Sequence, residues 1–223
     1  KSIKTRKWGS PVRVKISEDI EKDTREYLRE ILKLKKTDVY KVNGPLDLTF
    51  MMKLSSAVDV PKLKFPPEPP VLSNKFNEES IFELMTKKDM ILHHPYESFE
   101  PVLELVRKAA ADPKVLAIKQ TLYRVSGNSP IVKCLKDAAN NGKQVTVLVE
   151  IKARFDEEQN ITWAKELEKA GCHVIYSLKG LKTHAKLLLI VRQEVEGIQR
   201  YVHLSTGNYN DNTAKLYTDI GYF

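Results

Sequence analysis

Between residues 91 and 206, short segments with the hydrophobic pattern of β-strands alternate with amphipathic segments that have the pattern of helices. Segment 129–142 shows the helix boundaries directly, because it has a serine and a proline at its start and a glycine at its end. This alternation predicts an α/β fold with a mixed, largely parallel sheet flanked by helices. The last two strands, 181–192 and 199–206, are joined by a hairpin-like segment and are predicted to be antiparallel. The other predicted strands are 114–125, 144–151 and 172–177, and the other predicted helices are 99–112 and 157–171.

The first third of the chain has its own strand-helix-strand-helix order. It ends in segment 60–71, whose five prolines interrupt regular structure. We therefore predict a small α+β unit in residues 1–74 and a second unit in residues 75–223, in which segment 80–94 forms a helix that leads into a short strand. The predicted elements of the first unit are strands 11–17 and 38–43 and helices 18–34 and 46–57.

The composition narrows the classes of partner. The formal net charge of +8 favours polyanions such as nucleic acid, anionic lipid or phosphate-rich ligands. No apolar run reaches the ~20 residues that cross a bilayer. The chain lacks an initiating methionine and a signal-peptide pattern, and it stops inside an apolar segment, so we expect a piece of a longer protein.

Cations and small polar loops follow the predicted strands. Arg124 follows one strand, Lys152 and Arg154 follow the next, and segments 178–186 and 205–210 follow two others. In an open α/β sheet, ligands bind beyond the carboxyl ends of the parallel strands. Helix N-termini, loop amides and arginine side chains all favour phosphate oxygens. The sequence therefore predicts an anion-binding crevice at this edge.

His184 and Lys186 are two residues apart at the start of predicted strand 181–192, so their side chains are expected on one face. One interpretation is a structural histidine bonded to a backbone carbonyl, with the lysine reaching for water. The other is a catalytic pair, in which a neutral imidazole attacks phosphorus and the ammonium balances charge on the phosphoryl oxygens.

The remaining histidines and the two cysteines give no competing site. His203 lies within a predicted strand and is expected in the core, and His173 is expected to be structural. His93 and His94 are adjacent, so at most one of them joins any given face of a strand. No spacing of histidines and cysteines is typical of a metal site. Cys134 and Cys172 form no disulfide framework, which fits a reducing cytoplasm.

The H-x-K triplet at residues 184–186, followed by "STGN" at 205–208, resembles the half-motif of the phospholipase D superfamily. Val191 stands where that pattern has an aspartate. The chain is also similar, over essentially its whole length, to polyphosphate kinase type 1, whose sites resemble paired phospholipase D half-motifs. Residues 1–74 resemble the end of that family's head domain, and the remainder resembles its first catalytic C-terminal domain. The matching segments are "HHPYESF", "IKQTLYRV", "ARFDEEQNI", "GLKTHAKL", "STGNYN" and "LYTDIGYF".

The resemblance implies reversible transfer of the ATP γ-phosphoryl group to His184 and then to the end of a polyphosphate chain, with Mg²⁺ as cofactor. It implies a magnesium-phosphate site at Arg124 and Arg154, and a nucleotide contact at Tyr217. A guanidinium group has no acceptor atom and cannot ligate Mg²⁺, so we expect the arginines to hold phosphate oxygens beside the metal. Lys182, Lys186 and Asn208 are further candidates for phosphate contacts.

The resemblance also implies ATP or ADP and inorganic polyphosphate as partners, and self-association of the full-length protein. It places the protein in the cytoplasm or peripherally at the inner membrane. Because the family has further domains, we expect the isolated chain to have little or no kinase activity. Two alternatives stay open: a phospholipase D-like phosphodiesterase with a second half-site, and a non-enzymatic module that binds polyanions. Nucleic acid is the weaker polyanion, since the aromatic residues do not interleave with basic ones.

Overall fold

The computed structural model describes residues 9–66, 68–72, 76, 80–153, 157–177 and 180–223. The chain divides into two compact units, Lys1–Pro67 and Glu68–Phe223. The division falls within the proline-rich segment 60–71. The assignment of the two parts to a head domain and a catalytic domain stays a prediction.

The first unit has the predicted strand-helix-strand-helix order. Its two strands pair in parallel, with Val14 opposite Val39. Its core is small, since Ile16 and Leu34 are the fully buried apolar residues in its described part. The elements are β1 (Val14–Ser17), α1 (Lys22–Ile31), β2 (Val39–Val42) and α2 (Phe50–Ala57).

The second unit has the predicted alternation of strands and helices. Ser129 caps α5, because its hydroxyl accepts a hydrogen bond from the amide of Val132 at 3.4 Å and Pro130 is the first helical residue. The helices are α3 (Ile81–Lys87), α4 (Glu100–Ala111), α5 (Pro130–Asn140) and α6 (Glu157–Lys169), and the strands are β3 (Ile91–His94), β4 (Val115–Leu122), β5 (Gln144–Val149), β6 (His173–Tyr176), β7 (Lys186–Glu194), β8 (Gly197–Ser205) and β9 (Asp219–Tyr222).

The seven strands β3 to β9 form one sheet in the order β3-β9-β8-β7-β4-β5-β6. Strands β4, β5 and β6 run parallel to one another, and the other neighbouring pairs, including β4 with β7, are antiparallel. The α/β class, the mixed sheet and the β7–β8 hairpin are confirmed, but "largely parallel" is wrong. After β6 the chain returns beside β4 in the opposite direction, and β9 enters between β3 and β8.

Strand β9 was not predicted. It has four residues with a glycine at its third position, and it pairs with the preceding strand β8 and with β3, which lies far away in the sequence. The glycine in this short segment weakens the strand pattern, so the stability of β9 comes mainly from its neighbours in the sheet.

The core lies on one face of this sheet. Ile118, Val147, Leu188 and Ile190 are 0% exposed, whereas the alternate residues of the same strands, such as Leu187, are partly exposed. The buried faces of helices α4 to α6 complete the same hydrophobic cluster. This one-sided burial fixes the register of β7, because a shift by one residue would exchange its two faces.

Replacing Leu188 with alanine should lower the free energy of unfolding by about 2–5 kcal/mol, because the side chain is fully buried at the centre of the sheet. Chemical denaturation of the chain measures this. Leu204→Ala is the control, since Leu204 is 45% exposed on neighbouring β8, and it should change stability by less than about 1 kcal/mol. Equal losses in the two variants would contradict the assignment of the buried face.

Candidate functional site at one edge of the sheet

His184 lies just before β7, which begins at Lys186. The predicted strand 181–192 therefore starts five residues too early: His184 lies outside the strand, whereas Lys186 belongs to it. The backbone pairing between β4 and β7 ends at the Gln120–Leu188 pair. Beyond this pair, the side chain of Thr121 makes the hydrogen bonds between the two segments. The Thr121 hydroxyl donates to the carbonyl of Ala185 at 2.7 Å and accepts from the amide of Leu187 at 2.9 Å.

The predicted contact between the imidazole and the ammonium is nevertheless present. The Nζ atom of Lys186 lies 3.0 Å from both Nδ1 and Nε2 of His184, and it donates to the His184 carbonyl at 2.6 Å. In the ring plane, a position equally distant from both nitrogens would overlap ring carbon atoms. The ammonium therefore lies over the face of the ring and does not occupy the in-plane lone pair of the unprotonated nitrogen.

The surroundings of His184 favour the neutral imidazole. Desolvation is the largest cause that lowers its pKa below the ordinary value of 6.5, and the ammonium groups of Lys186 and Lys182 lower it further. The side chain is nevertheless exposed enough for a ligand to reach it. An accessible imidazole that is uncharged near neutral pH meets the first requirement of a nitrogen nucleophile.

Lys186 is itself only 6% exposed. Burial lowers its pKa, since the ammonium is the form that loses hydration, and the carboxylate of Asp219 opposes this shift. Lys186 belongs to the same face of β7 as the buried residues Leu188 and Ile190.

Tyr123, which the sequence analysis did not single out, completes the cluster. Its ring meets that of His184 edge to face, with the centroids 4.8 Å apart. The Nζ atoms of Lys182 and Lys186 each lie 5.3 Å from the centre of the Tyr123 ring, within the range of cation–π attraction. The tyrosine thus holds the imidazole and both ammonium groups close to one another.

The "STGN" loop lies at the same edge, since Ser205 pairs with Lys186 across β8 and β7. The hydroxyl of Thr206 donates to Asp219 at 2.8 Å. Gly207 allows this close approach, because a Cβ atom on it would lie 2.6 Å from a carboxylate oxygen of Asp219. Asn208 follows at the end of the loop, and its predicted contact with phosphate stays a prediction.

The other predicted ligand contacts are less complete. Arg124 follows β4 at this edge and is half-buried, and Tyr217 stands two residues before β9 with 51% of its surface exposed. Arg154 lies outside the described residues. Roles of all three in binding stay predictions.

His203 lies in the core as expected, whereas His173, which was expected to be structural, is exposed on β6. His203 is fully buried, its Nδ1 atom lies 2.9 Å from the Tyr209 hydroxyl, and burial lowers its pKa to about 3, with a further contribution from His94. His94 is buried, whereas its neighbour His93 is exposed on the opposite side of β3. These side chains belong to the core and to the outer face of β3.

The edge does not make a cage for a metal ion. Across the described ranges, no group of three or more histidine, cysteine, aspartate or glutamate side chains could hold one. The groups around His184 are mainly nitrogen donors and cations, whereas Mg²⁺ prefers oxygen ligands. Of the two nearby carboxylates, Asp219 accepts from Thr206, and Glu150 is fully buried with both oxygens bound to protein donors. These side chains do not fit Mg²⁺ as ligands.

Across the described residues, no helix is long and apolar enough to span a membrane.

The fold and this edge define an α/β domain whose mixed sheet gathers an imidazole and several cations at one end. Residues 80–223 match the family model of the polyphosphate kinase C-terminal domain 1, and residues 1–54 match that of the polyphosphate kinase middle domain. The chain belongs to the polyphosphate kinase family.

Relatives with this name include proteins of Halalkalibacterium halodurans and Bacillus cereus. Each is 56% identical to the chain, over 99% and 100% of its length respectively. The crystal structure of the polyphosphate kinase from Porphyromonas gingivalis superposes with a TM-score of 0.75 at 30% identity, over 96% of this chain. The chain spans 32% of the length of the two relatives and 33% of the crystallised chain.

Replacing Lys186 with methionine should raise the pKa of His184 toward 6.5, because the substitution removes an ammonium group from the face of the ring. Lys182→Met should have a smaller effect in the same direction, as the more weakly coupled ammonium. The measurement is an NMR pH titration of the imidazole. Lys133→Met, on the exposed side of α5, is the control and should leave the midpoint unchanged. An unchanged midpoint in Lys186→Met would contradict the proximity of the two groups.

Proposed function

We propose that the full-length protein containing this chain is a polyphosphate kinase, in which His184 accepts the γ-phosphoryl group of ATP. The observation that carries the proposal is the arrangement of His184, whose accessible ring has a buried ammonium over its face and an in-plane lone pair that this ammonium does not occupy. Family membership supports the reaction class.

The proposed reaction has two displacements at phosphorus. The lone pair of His184 attacks the γ-phosphorus, the bond to the bridging oxygen breaks, and that oxygen leaves with its electron pair on ADP. A terminal oxygen of polyphosphate then attacks the phosphoryl group, and the P–N bond breaks so that its electron pair returns to the imidazole. Both steps are reversible, because the two leaving groups are similar in kind.

The cations of the edge act on the charge of the transferred group. Lys186 lies over the face of the imidazole and Lys182 lies by the neighbouring Tyr123 ring, so both ammonium groups are near enough to stabilise negative charge on a phosphoryl group bound in the plane of the imidazole. Arg124, Arg154 and Asn208 are assigned to oxygens of the phosphate chain, and Tyr217 to the nucleotide. Mg²⁺ enters as part of the substrate, held by ATP phosphates rather than by these side chains.

The location and assembly of the full-length protein are part of this proposal. Self-association and a site in the cytoplasm or at the inner membrane face are proposed from the family resemblance alone, and the name of the relatives supports ATP or ADP and inorganic polyphosphate as partners. The net charge of +8 suits a long polyanionic substrate.

A specific position weighs against a phosphodiesterase of the phospholipase D type. Val191, which occupies the position of that pattern's aspartate, lies within β7 opposite Arg200, five residues along the strand from Lys186. It supplies no carboxylate to the edge. A non-enzymatic polyanion module would bind polyphosphate with strong salt dependence and without any role for His184.

The test is transfer of label from γ-labelled ATP and Mg²⁺ to the full-length protein, with an alkaline quench and peptide mapping. Label stable in base and labile in acid should appear on the peptide that holds His184. His184→Ala should lose the label and lower polyphosphate synthesis by on the order of 10⁴-fold or more, as expected when a nucleophile is removed. His173→Ala, an exposed histidine on β6, is the matched control and should retain both. Undiminished synthesis by His184→Ala would refute the proposal.

The chain of residues 1–223 by itself should show little or no turnover, because it spans about a third of the relatives' length. Polyphosphate synthesis by the isolated chain is compared with that by the full-length protein at equal molar concentration. Comparable rates would show that the remaining domains are dispensable.

A further inference from the structure

The side chain of Glu150 is fully buried directly after β5, at the edge that carries His184. A carboxylate in such a position costs free energy unless hydrogen bonds replace its lost water. The polar groups that surround it therefore indicate what the charge holds in place.

Three neutral donors in the described part of the chain converge on this carboxylate. One oxygen accepts from the amide of Lys152 at 2.8 Å and from the hydroxyl of Ser177 at 3.2 Å. The other oxygen accepts from the amide of Thr183 at 2.7 Å. Glu150 thus joins its own loop to the end of β6 and to the segment that immediately precedes His184.

The backbone of Glu150 is fixed as well. Its amide donates to the carbonyl of Leu122 at 2.9 Å, and its carbonyl accepts from the side-chain amide of Asn160 at 2.9 Å. The same Asn160 group donates to the carbonyl of Tyr123 at 2.7 Å. The carboxylate therefore extends from a rigid junction between the ends of β4 and β5 and helix α6.

Hydrogen bonds from side chains fix the backbone on both sides of His184. On one side the amide of Thr183 is bound by Glu150, and on the other the carbonyl of Ala185 is bound by the hydroxyl of Thr121. Residues 181–185 have no regular secondary structure, so these two contacts replace a backbone ladder in fixing the histidine.

We propose that Glu150 is a positioning residue that fixes the loop before His184 and so aims its imidazole at the incoming phosphoryl group. This inference rests on the proposed function. Positioning of this kind has a large effect on rate, because a displacement of about 1 Å at a reacting group can cost on the order of 10²-fold.

Glutamine is the informative substitution, because it has nearly the shape of glutamate but only one accepting oxygen. An ionised carboxylate accepts at both oxygens, whereas an amide places an NH₂ group at one of them. If the glutamine oxygen faces the amide of Thr183, its NH₂ group faces the amide of Lys152, so two donors oppose each other there. In the reverse orientation, the NH₂ group and the amide of Thr183 are the two opposed donors. Only the Ser177 hydroxyl can rotate to accept.

In the full-length protein, Glu150→Gln should slow single-turnover phosphorylation of His184 by about 10- to 100-fold at saturating ATP. The apparent KM for ATP should change by less than about threefold, since no substrate contact is removed. Ser177→Ala removes a donor from the same carboxylate but spares Thr183, and Glu166→Gln alters the surface pair with Lys136. Both controls should stay within about threefold of the wild-type rate.

The inference would be overturned if the wild-type protein is phosphorylated at His184 and Glu150→Gln is phosphorylated at the same rate. It would also be overturned if Ser177→Ala lost as much rate as Glu150→Gln. Hydrogen exchange provides a test that does not depend on the folding of a variant. In the wild-type protein, the amide of Thr183 should exchange far more slowly than that of Lys182, although both lie outside regular structure. Equal exchange of these two amides would also overturn it.

The failure of the proposed function gives a different result. In that case the wild-type protein itself acquires no label at His184, while the protection of the Thr183 amide remains. Glu150 then anchors the loop, but its role in aiming a nucleophile is refuted.

Discussion

The contact between the ammonium of Lys186 and the imidazole of His184 is the interaction on which the rest of the site depends. A buried ammonium is costly, and here it is compensated by the His184 carbonyl at 2.6 Å, by the ring of Tyr123 and by the charge of Asp219. Desolvation is the main cause that lowers the pKa of His184, and the same ammonium lowers it further. One charge thus lowers the pKa of His184 and, in the proposed reaction, lies close to the phosphoryl group that His184 attacks.

The sheet topology brings these groups together. β4, β5 and β6 end at the edge where β7 begins, because β7 runs antiparallel to β4. β8 ends there and β9 starts there, which adds the "STGN" loop and Asp219. An all-parallel sheet would have placed the start of β7 at the opposite end, away from Arg124. The antiparallel half of the sheet is therefore what unites the site.

Much of this was predictable from the sequence. The pattern of helices and strands identified each element of the second unit except β9, and the H-x-K triplet identified the contact between the imidazole and the ammonium. The start of β7 was misplaced because hydrophobic periodicity does not reveal that the Thr121 hydroxyl replaces the ladder at Ala185.

Tyr123 and Glu150 were missed for a related reason. Each stands at the end of a strand, where a tyrosine or a glutamate carries no signal in a single sequence. Their importance arises from distant partners: Lys182 and His184 for the tyrosine, and Ser177 and Thr183 for the glutamate. A sheet edge is assembled from the ends of many strands, so its contacts follow from topology rather than from local pattern.

The most direct test of the central claim is the ¹⁵N–³¹P coupling of the phosphorylated full-length protein with ¹⁵N-labelled histidine. The account predicts that, after incubation with ATP and Mg²⁺, one ring nitrogen of His184 shows a one-bond coupling to phosphorus. The coupling should disappear when ADP is added and the phosphoryl group returns to it. Phosphorus coupled to a different residue, or no coupling while polyphosphate is being made, would contradict a covalent role for His184.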